Sequence, residues 1–405
     1  MTMDQLQDLG TMQRRFALPK LIDLVCRRVR WNSVEVRGNT ALLAALARTC
    51  RAWSDIALDN LWHTIFGISS LVRCMPQDLW CLERGVLTLR RPLIASDMHV
   101  LRKYASRVRV LDHKECPGSF VQAHASIYQV LMLFSNDCLL PRLEELCFCY
   151  PIDTVNGLSE LIETVARNCH TDSLRNFKLF YPISSDVAFS TVLRPLLKFH
   201  ELEHVDIGDF FATKLTNEEV AEIASSLPNI QSLSLPFRAK DIGPPFLDWD
   251  HSLPTLSILL ALAKCTKLRN LSLEIDASDE AVRHILWKKL DKERIRNYSL
   301  RTLSVGWSPI SHKEFVASFL SDVFPNLEDV DSSLAIGRDD ERRYHRWQYI
   351  GRVLLPMFGW MREREYERMG GSAGSYNDTM EDEGGDWLDG GNWDRRSLTT
   401  GQDSF

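Results

Sequence analysis

At 405 residues, 45% of them hydrophobic and 25% charged, the chain is long enough to hold more than one core or one elongated repeat core. Its formal net charge of −6 is carried by the last 36 residues, where Asp378, Glu381, Asp382, Glu383, Asp386, Asp389, Asp394 and Asp403 meet only Arg395 and Arg396. Residues 1–369 are formally neutral, which removes the electrostatic basis for a nucleic-acid or anionic-membrane partner; no apolar run approaches the ~20 residues of a bilayer span.

Residues 1–16 read as a flexible N-terminus without the apolar core of a signal peptide. The ten cysteines are scattered, and Cys50, Cys169 and Cys265 fall in apolar periodic segments. That pattern suits reduced thiols in the cytoplasm or nucleus rather than a disulfide framework. The sequons at Asn297-Tyr298-Ser299 and Asn377-Asp378-Thr379 are then expected to be inert.

Residues 17–66 predict three short amphipathic helices. Leu18-Pro19 opens the first, with proline suited to a first helical turn and Leu21, Ile22, Leu24, Val25 and Val29 following. Thr40 caps a second that carries Leu42, Leu43, Leu46, Ala47 and Cys50. A third carries Trp53, Ile56, Ala57, Leu61 and Trp62. The order of residues resembles the F-box family at three anchors: Leu18-Pro19-Lys20-Leu21-Ile22-Asp23-Leu24-Val25, the Cys50-Arg51-Ala52-Trp53 element, and the closing Leu61-Trp62. The resemblance covers about an eighth of the chain. Lys20 stands where the family commonly has an acid, and the loop between the first two helices is long. What the resemblance implies is docking on the Skp adaptor of a cullin-RING ubiquitin ligase. Leu18, Pro19, Ile22, Trp53, Leu61 and Trp62 are the expected adaptor-binding residues, as an exposed apolar patch with aromatic anchors. The bland alternative is a plain helical cap on the next domain.

From 67 to 369 one pattern recurs, with apolar residues at offsets zero, three and five. The copies are Leu143/Leu146/Phe148, Leu174/Phe177/Leu179, Leu202/Val205/Ile207, Ile230/Leu233/Leu235, Leu268/Leu271/Leu273 and Leu300/Leu303/Val305. Weaker copies start at Val108 and Leu327. This is a degenerate leucine-rich-repeat pattern with long, irregular units. Helical spacing over 155–169 and 186–199, and capping boxes at Thr216-Asn217-Glu218-Glu219 and Ser311-His312-Lys313-Glu314, put helices between the strands. The expected fold class is α/β: a three-helix module, then a horseshoe with parallel strands inside and helices outside. Tyr344, Trp347, Ile350, Val353, Leu354, Phe358 and Met361 predict a last helix over the open end, kinked or interrupted at Pro356. Residues 370–405 form a glycine-rich acidic tail expected to be disordered, most simply a solubilising one.

The expected client-binding residues are Lys178, Asp206 and Ser234, with Ser272 and Ser304 in equivalent places, between the apolar anchors. Tyr150, Tyr181, Phe237 and Trp307 fall two residues past the third anchor, either exposed on a rim or packed under the loops as satellite core. Trp249, in the insert 239–253, could overhang the same face. One motif carries chemistry: His200-Glu201-Leu202-Glu203-His204 matches a zinc-peptidase helix, but the repeat register makes it a strand, where residues four apart lie ~13 Å from each other. No phosphate loop, paired Cys-x-x-Cys or nucleophile elbow is present. The sequence thus predicts no enzyme, metal or cofactor. The reading is a substrate receptor of an SCF-type ligase binding an unidentified client; the alternatives are a leucine-rich-repeat binding scaffold with no ubiquitin link and, remotely, a zinc metallopeptidase.

Overall fold

The computed structural model describes residues 19–30, 36–112, 122–124, 126–127, 130–131, 138–148, 163, 166–167, 169–180, 193–208, 215–235, 253–278, 295–332 and 338–369. The chain opens with helix α1 (19–30), α2 (Val36–Ala47) and α3 (Arg51–Leu61). These helices enclose a small core of Ile22, Cys26, Leu43 and Ala57, with Val29, Leu46, Trp53, Ile56 and Leu61 packed around it. Asn60, buried on α3, ties the bundle by donating to the Asp23 carboxylate at 3.3 Å and to the Ile56 carbonyl at 2.9 Å.

The rest is α/β, built on a parallel sheet of nine strands. These are β1 (Thr64–Ile65), β4 (Val110–Asp112), β6 (Glu145–Phe148), β7 (Asn176–Leu179), β8 (His204–Ile207), β9 (Ser232–Ser234), β10 (Asn270–Ser272), β11 (Thr302–Ser304) and β12 (Asp329–Asp331), paired in that order. Chain order equals spatial order, so each strand is laid beside the one before it. The register is uniform: Leu111, Leu146, Phe177, Val205, Leu233, Leu271, Leu303 and Val330 stand side by side, all buried. They are the middle apolar residues of the repeated pattern. The first residues of the pattern, from Leu143 to Leu327, are buried beneath them. Strands begin alike as well. The Arg109 carbonyl accepts from the N–H groups of both Glu144 and Glu145, and those of Glu144, Arg175, Glu203, Gln231, Arg269 and Arg301 repeat this one strand further on. The turn before each strand is thereby fixed to its predecessor.

Helices α4 (Ser69–Val72), α5 (Ala95–Ala105), α6 (Asn217–Ser226), α7 (Ile258–Leu262) and α8 (Lys313–Val323) contribute buried faces to the same core. The capping box at the start of α6 forms as the sequence suggests: Thr216 Oγ1 accepts from Glu219 N at 3.2 Å and Glu219 Oε2 from Thr216 N at 2.9 Å. The second box does not form. Helix α8 starts at Lys313 after a His312 cap without a side-chain bond, and Arg346 donates to the Ile310 and Ser311 carbonyls in the approaching turn. Of the helix expected over 186–199, the described part holds only a 3-10 turn at Arg194–Leu196 around Pro195, which has no N–H for a longer helix.

The repeat pattern also missed an insertion. Strands β2 (Trp80–Glu83) and β3 (Val86–Leu89) form an antiparallel hairpin, which β5 (Gln122–Ala123) extends as a second sheet. Its two-residue turn puts Arg84 and Gly85 at φ 52° and 87°, the left-handed geometry a tight hairpin requires.

A long helical segment covers the last strand: α9 (Arg338–Tyr349), a π turn at Ile350–Leu354, and α10 (Leu355–Arg368). Trp347, Ile350 and Leu354 are buried, and Trp347 Nε1 donates to the Ser308 carbonyl at 2.9 Å. Gly351 lies so close to β12 that a Cβ there would sit 3.2 Å from the Val330 carbonyl oxygen. Pro356 does not break the helix. The turn before it widens, and Leu355 N–H bonds to Ile350 O, five residues back.

Candidate functional site

The surfaces that bear on the sequence reading are one on the helical module and one on the sheet.

Helix α1 is apolar on two faces. Ile22, Cys26 and Val29, one helical turn apart, point into the module's own core. Leu21, Leu24 and Val25, on another side, stay 58%, 64% and 39% exposed, and Leu42 of α2 is 48% exposed. These four are the exposed large apolar side chains of the module among the described residues. It differs from the patch expected from sequence. Ile22 is only 2% exposed and is a core residue. Trp53 and Leu61 are half-buried against the same small core. Trp62 packs on the main core, its ring stacked on Tyr104 with centroids 4.8 Å apart. Of the six expected residues Pro19 is exposed, and Leu18 lies outside the described residues. The signal was present: apolar residues at positions 21, 22, 24, 25, 26 and 29 occupy too wide an arc for a helix with one covered side.

The module is fixed to the sheet at one edge. Arg107, in the turn before β4, donates to the carboxylates of Asp55 (2.9 Å) and Asp59 and to the Asp55 carbonyl at 3.1 Å. His63, between α3 and β1, presents its carbonyl to the N–H groups of Arg109 and Val110. Burial, then the nearby Arg30 guanidinium, push the His63 imidazole down to about 4.

On the sheet, the residues flanking the buried middle position face outward. Lys178 is half-buried and bonds Glu145 at 2.9 Å; that hydrogen bond chiefly raises its pKa. Asp206 stands on the next strand beside Lys178. Further along, Ser234, Asn270, Ser272, Thr302, Ser304 and Asp331 line a shallow recess across β9 to β12. The face therefore has a charged half and a hydroxyl-rich half whose floor is bare strand. Along one rim, cross-strand pairs Arg109–Glu144, Arg175–Glu203 and Arg301–Glu328 hold the strand starts together.

Trp307 belongs to the packed alternative. Its N–H donates to Glu274 at 2.9 Å, its carbonyl accepts from Arg343 at 3.0 Å, and the Arg343 guanidinium covers its ring at 4.9 Å. Tyr150, Tyr181, Phe237 and Trp249 lie outside the described residues.

The zinc-peptidase helix is not formed. His204 is the first residue of β8, and His200 sits in the preceding turn with Nδ1 3.0 Å from the Ser226 carbonyl oxygen. Without a helical turn between them the two rings do not share a face. Among the described residues no three His, Cys, Asp or Glu side chains gather closely enough to hold a metal ion. None of those residues' cysteines is in a disulfide, and no helix there is long and apolar enough to cross a membrane.

No family model matches the chain, and no curated protein matches it.

Proposed function

We propose that the chain is the substrate-recognition subunit of an SCF-type cullin-RING ubiquitin ligase. Its three N-terminal helices would act as an F-box that docks on the Skp adaptor, and its nine strands as a degenerate leucine-rich-repeat horseshoe that holds a client protein. The chain itself performs no bond chemistry in this scheme; joining client and transfer machinery raises their effective concentration.

The observation that carries the proposal is the outer face of α1, where Leu21, Leu24 and Val25 are exposed within the stretch that resembles the F-box opening helix, with Leu42 of α2 exposed as well. A module with so small a core does not leave four large apolar side chains in water without a use for them. The regular strand register supports the repeat assignment, and the outward row of Lys178, Asp206, Ser234, Ser272 and Ser304 is the client face.

The test is binding of the purified full chain to recombinant Skp adaptor, compared with a Leu21→Asp/Leu24→Asp variant. Both positions are exposed, so melting should be unchanged while affinity falls about 100-fold or more. A folded parent chain that ignores the adaptor would leave the second reading, a binding scaffold capped by its N-terminal helices. The Arg107 ion pairs and the Trp62–Tyr104 stack, which fasten the module to the sheet edge as a cap is fastened, favour that reading.

A further inference from the structure

A third surface has no role in the scheme above. The terminal helical segment is two-faced: Trp347, Ile350, Leu354 and Phe358 pack inward, and Arg362 donates to the carbonyls of Ser321 (3.2 Å) and Pro325 (2.9 Å). On the outward side Tyr349, Val353, Met357, Trp360 and Met361 are all at least 40% exposed, Trp360 the most at 56%. Their steps of three and four residues make one continuous stripe, ~18 Å long at 1.5 Å per residue.

Cations stack on two of its rings. Lys313 Nζ lies 4.4 Å from the Tyr349 ring centroid, and the Arg364 guanidinium lies 4.8 Å from that of Trp360. Arg352 is exposed on the same segment, as are Arg346, whose guanidinium bonds the Ile310 and Ser311 carbonyls, and Arg368, which pairs with Glu365. A stripe of bulky apolar groups edged by arginines suits a ligand in which bulky apolar groups alternate with acids.

The chain carries such a ligand immediately after Arg368 and Met369. In 370–405 four large apolar side chains adjoin an acid: Met380-Glu381, Asp386-Trp387-Leu388-Asp389 and Trp393-Asp394. We propose that this acidic segment docks in cis along the Tyr349–Met361 stripe, Trp387 and Leu388 covering apolar side chains and the acids meeting the arginine edge.

Reach permits it. A glycine-rich chain spans ~5–6 Å × √n, so the 18 residues from Met369 to Trp387 cover about 24 Å. That matches the ~18 Å from Met369 back along the helix to Met357. A tether of this length holds the segment at an effective concentration of order mM, so modest contacts suffice. The electrostatic share is exposed and weakens with salt.

The test uses the full chain with the photo-crosslinking residue p-benzoylphenylalanine in place of Met357, followed by mass-spectrometric mapping. The expected result is an intramolecular link to residues 376–394 in protein of monomer mass. A control with the same group in place of Leu82, exposed on the β2–β3 hairpin, should give little tail product. Replacing Glu381, Asp382, Asp386 and Asp389 by their amides should lower the yield about threefold, as loss of several weak exposed pairs would. Links to a second copy or elsewhere in the chain, or tail links equally abundant from position 82, would overturn the proposal. So would a yield indifferent to the amide substitutions.

Discussion

The helical module and the strand array solve burial in opposite ways. Among the described residues of 19–62 the fully buried apolar side chains are Ile22, Cys26, Leu43 and Ala57, and apolar groups remain outside on α1 and α2. In the sheet, each strand places one apolar residue in a continuous buried row and turns small or charged residues to water. The module is small, and Arg107 and Tyr104 fasten it to the sheet on one side while Leu21 and Leu24 stay exposed on another. The array supplies its own neighbours, since each repeat covers the last and the helix at 338–369 covers the end. Surface left open thus means different things in the two regions. On the outward face of the sheet it is polar, and on the module it is apolar.

The largest effect should come from breaking the buried row. Phe177 stands between Leu146 and Val205 with no exposure, so Phe177→Ala should cost ~3–5 kcal/mol in urea unfolding. The paired measurement is Leu24→Ala on the module, where the side chain is in water already and the change should stay within ~0.5 kcal/mol. Comparable losses at both positions would erase the distinction between the regions.

A smaller effect tests what joins one repeat to the next. Asn297 is buried, and its amide donates to the carbonyls of Ala263 (3.3 Å) and Cys265 (2.7 Å) while Oδ1 accepts from the N–H groups of Ser299 (2.8 Å) and Leu300 (3.1 Å). One side chain thus satisfies backbone groups in the turns before β10 and β11. Asn297→Ala should cost about 2–3 kcal/mol, because those groups stay buried without partners. The same bonds explain why the sequon at this position has no free acceptor amide.

Asn297 also marks the limit of what the sequence made legible. The strand register could be read in advance because a side-chain period repeated six or more times is a redundant signal; each apolar triplet corroborates the others. Asn297 is a single residue outside that period, and nothing in its neighbours indicates burial. The β2–β3 hairpin was missed for a related reason, since alternation around Arg84-Gly85 occurs once and is drowned by the longer repeat. For the module, three helices were legible from apolar spacing, but not which face of α1 looks outward. With apolar residues on two faces, only packing decides that Ile22 goes in and Leu24 stays out. Large aromatic side chains are favoured at interfaces and in cores alike, and Trp62 found its partner inside the chain, on Tyr104.

The smallest effect tests the seam between the two regions. Burial holds His63 at about 4 in the folded chain, against 6.5 for a free imidazole. Between those values the unfolded chain takes up a proton that the folded chain does not, so stability must rise with pH there. Above pH 6.5 His63 is neutral in both states and contributes no slope. As pH falls from 6.5 toward 4 the folded state loses stability, and below 4 the loss is complete. Solvent reaching the half-buried ring keeps the total modest. His63→Gln should remove this component, so the melting temperatures of parent and variant should diverge progressively between pH 6.5 and 4 and hold a constant difference above 6.5. Hydrogen exchange would place the loss: protection should fall first at Arg109 and Val110, whose N–H groups bond the His63 carbonyl, and last at the β10–β11 pairing. Uniform loss across all nine strands would mean that module and array unfold as one unit, and that the seam is no weaker than the rows beside it.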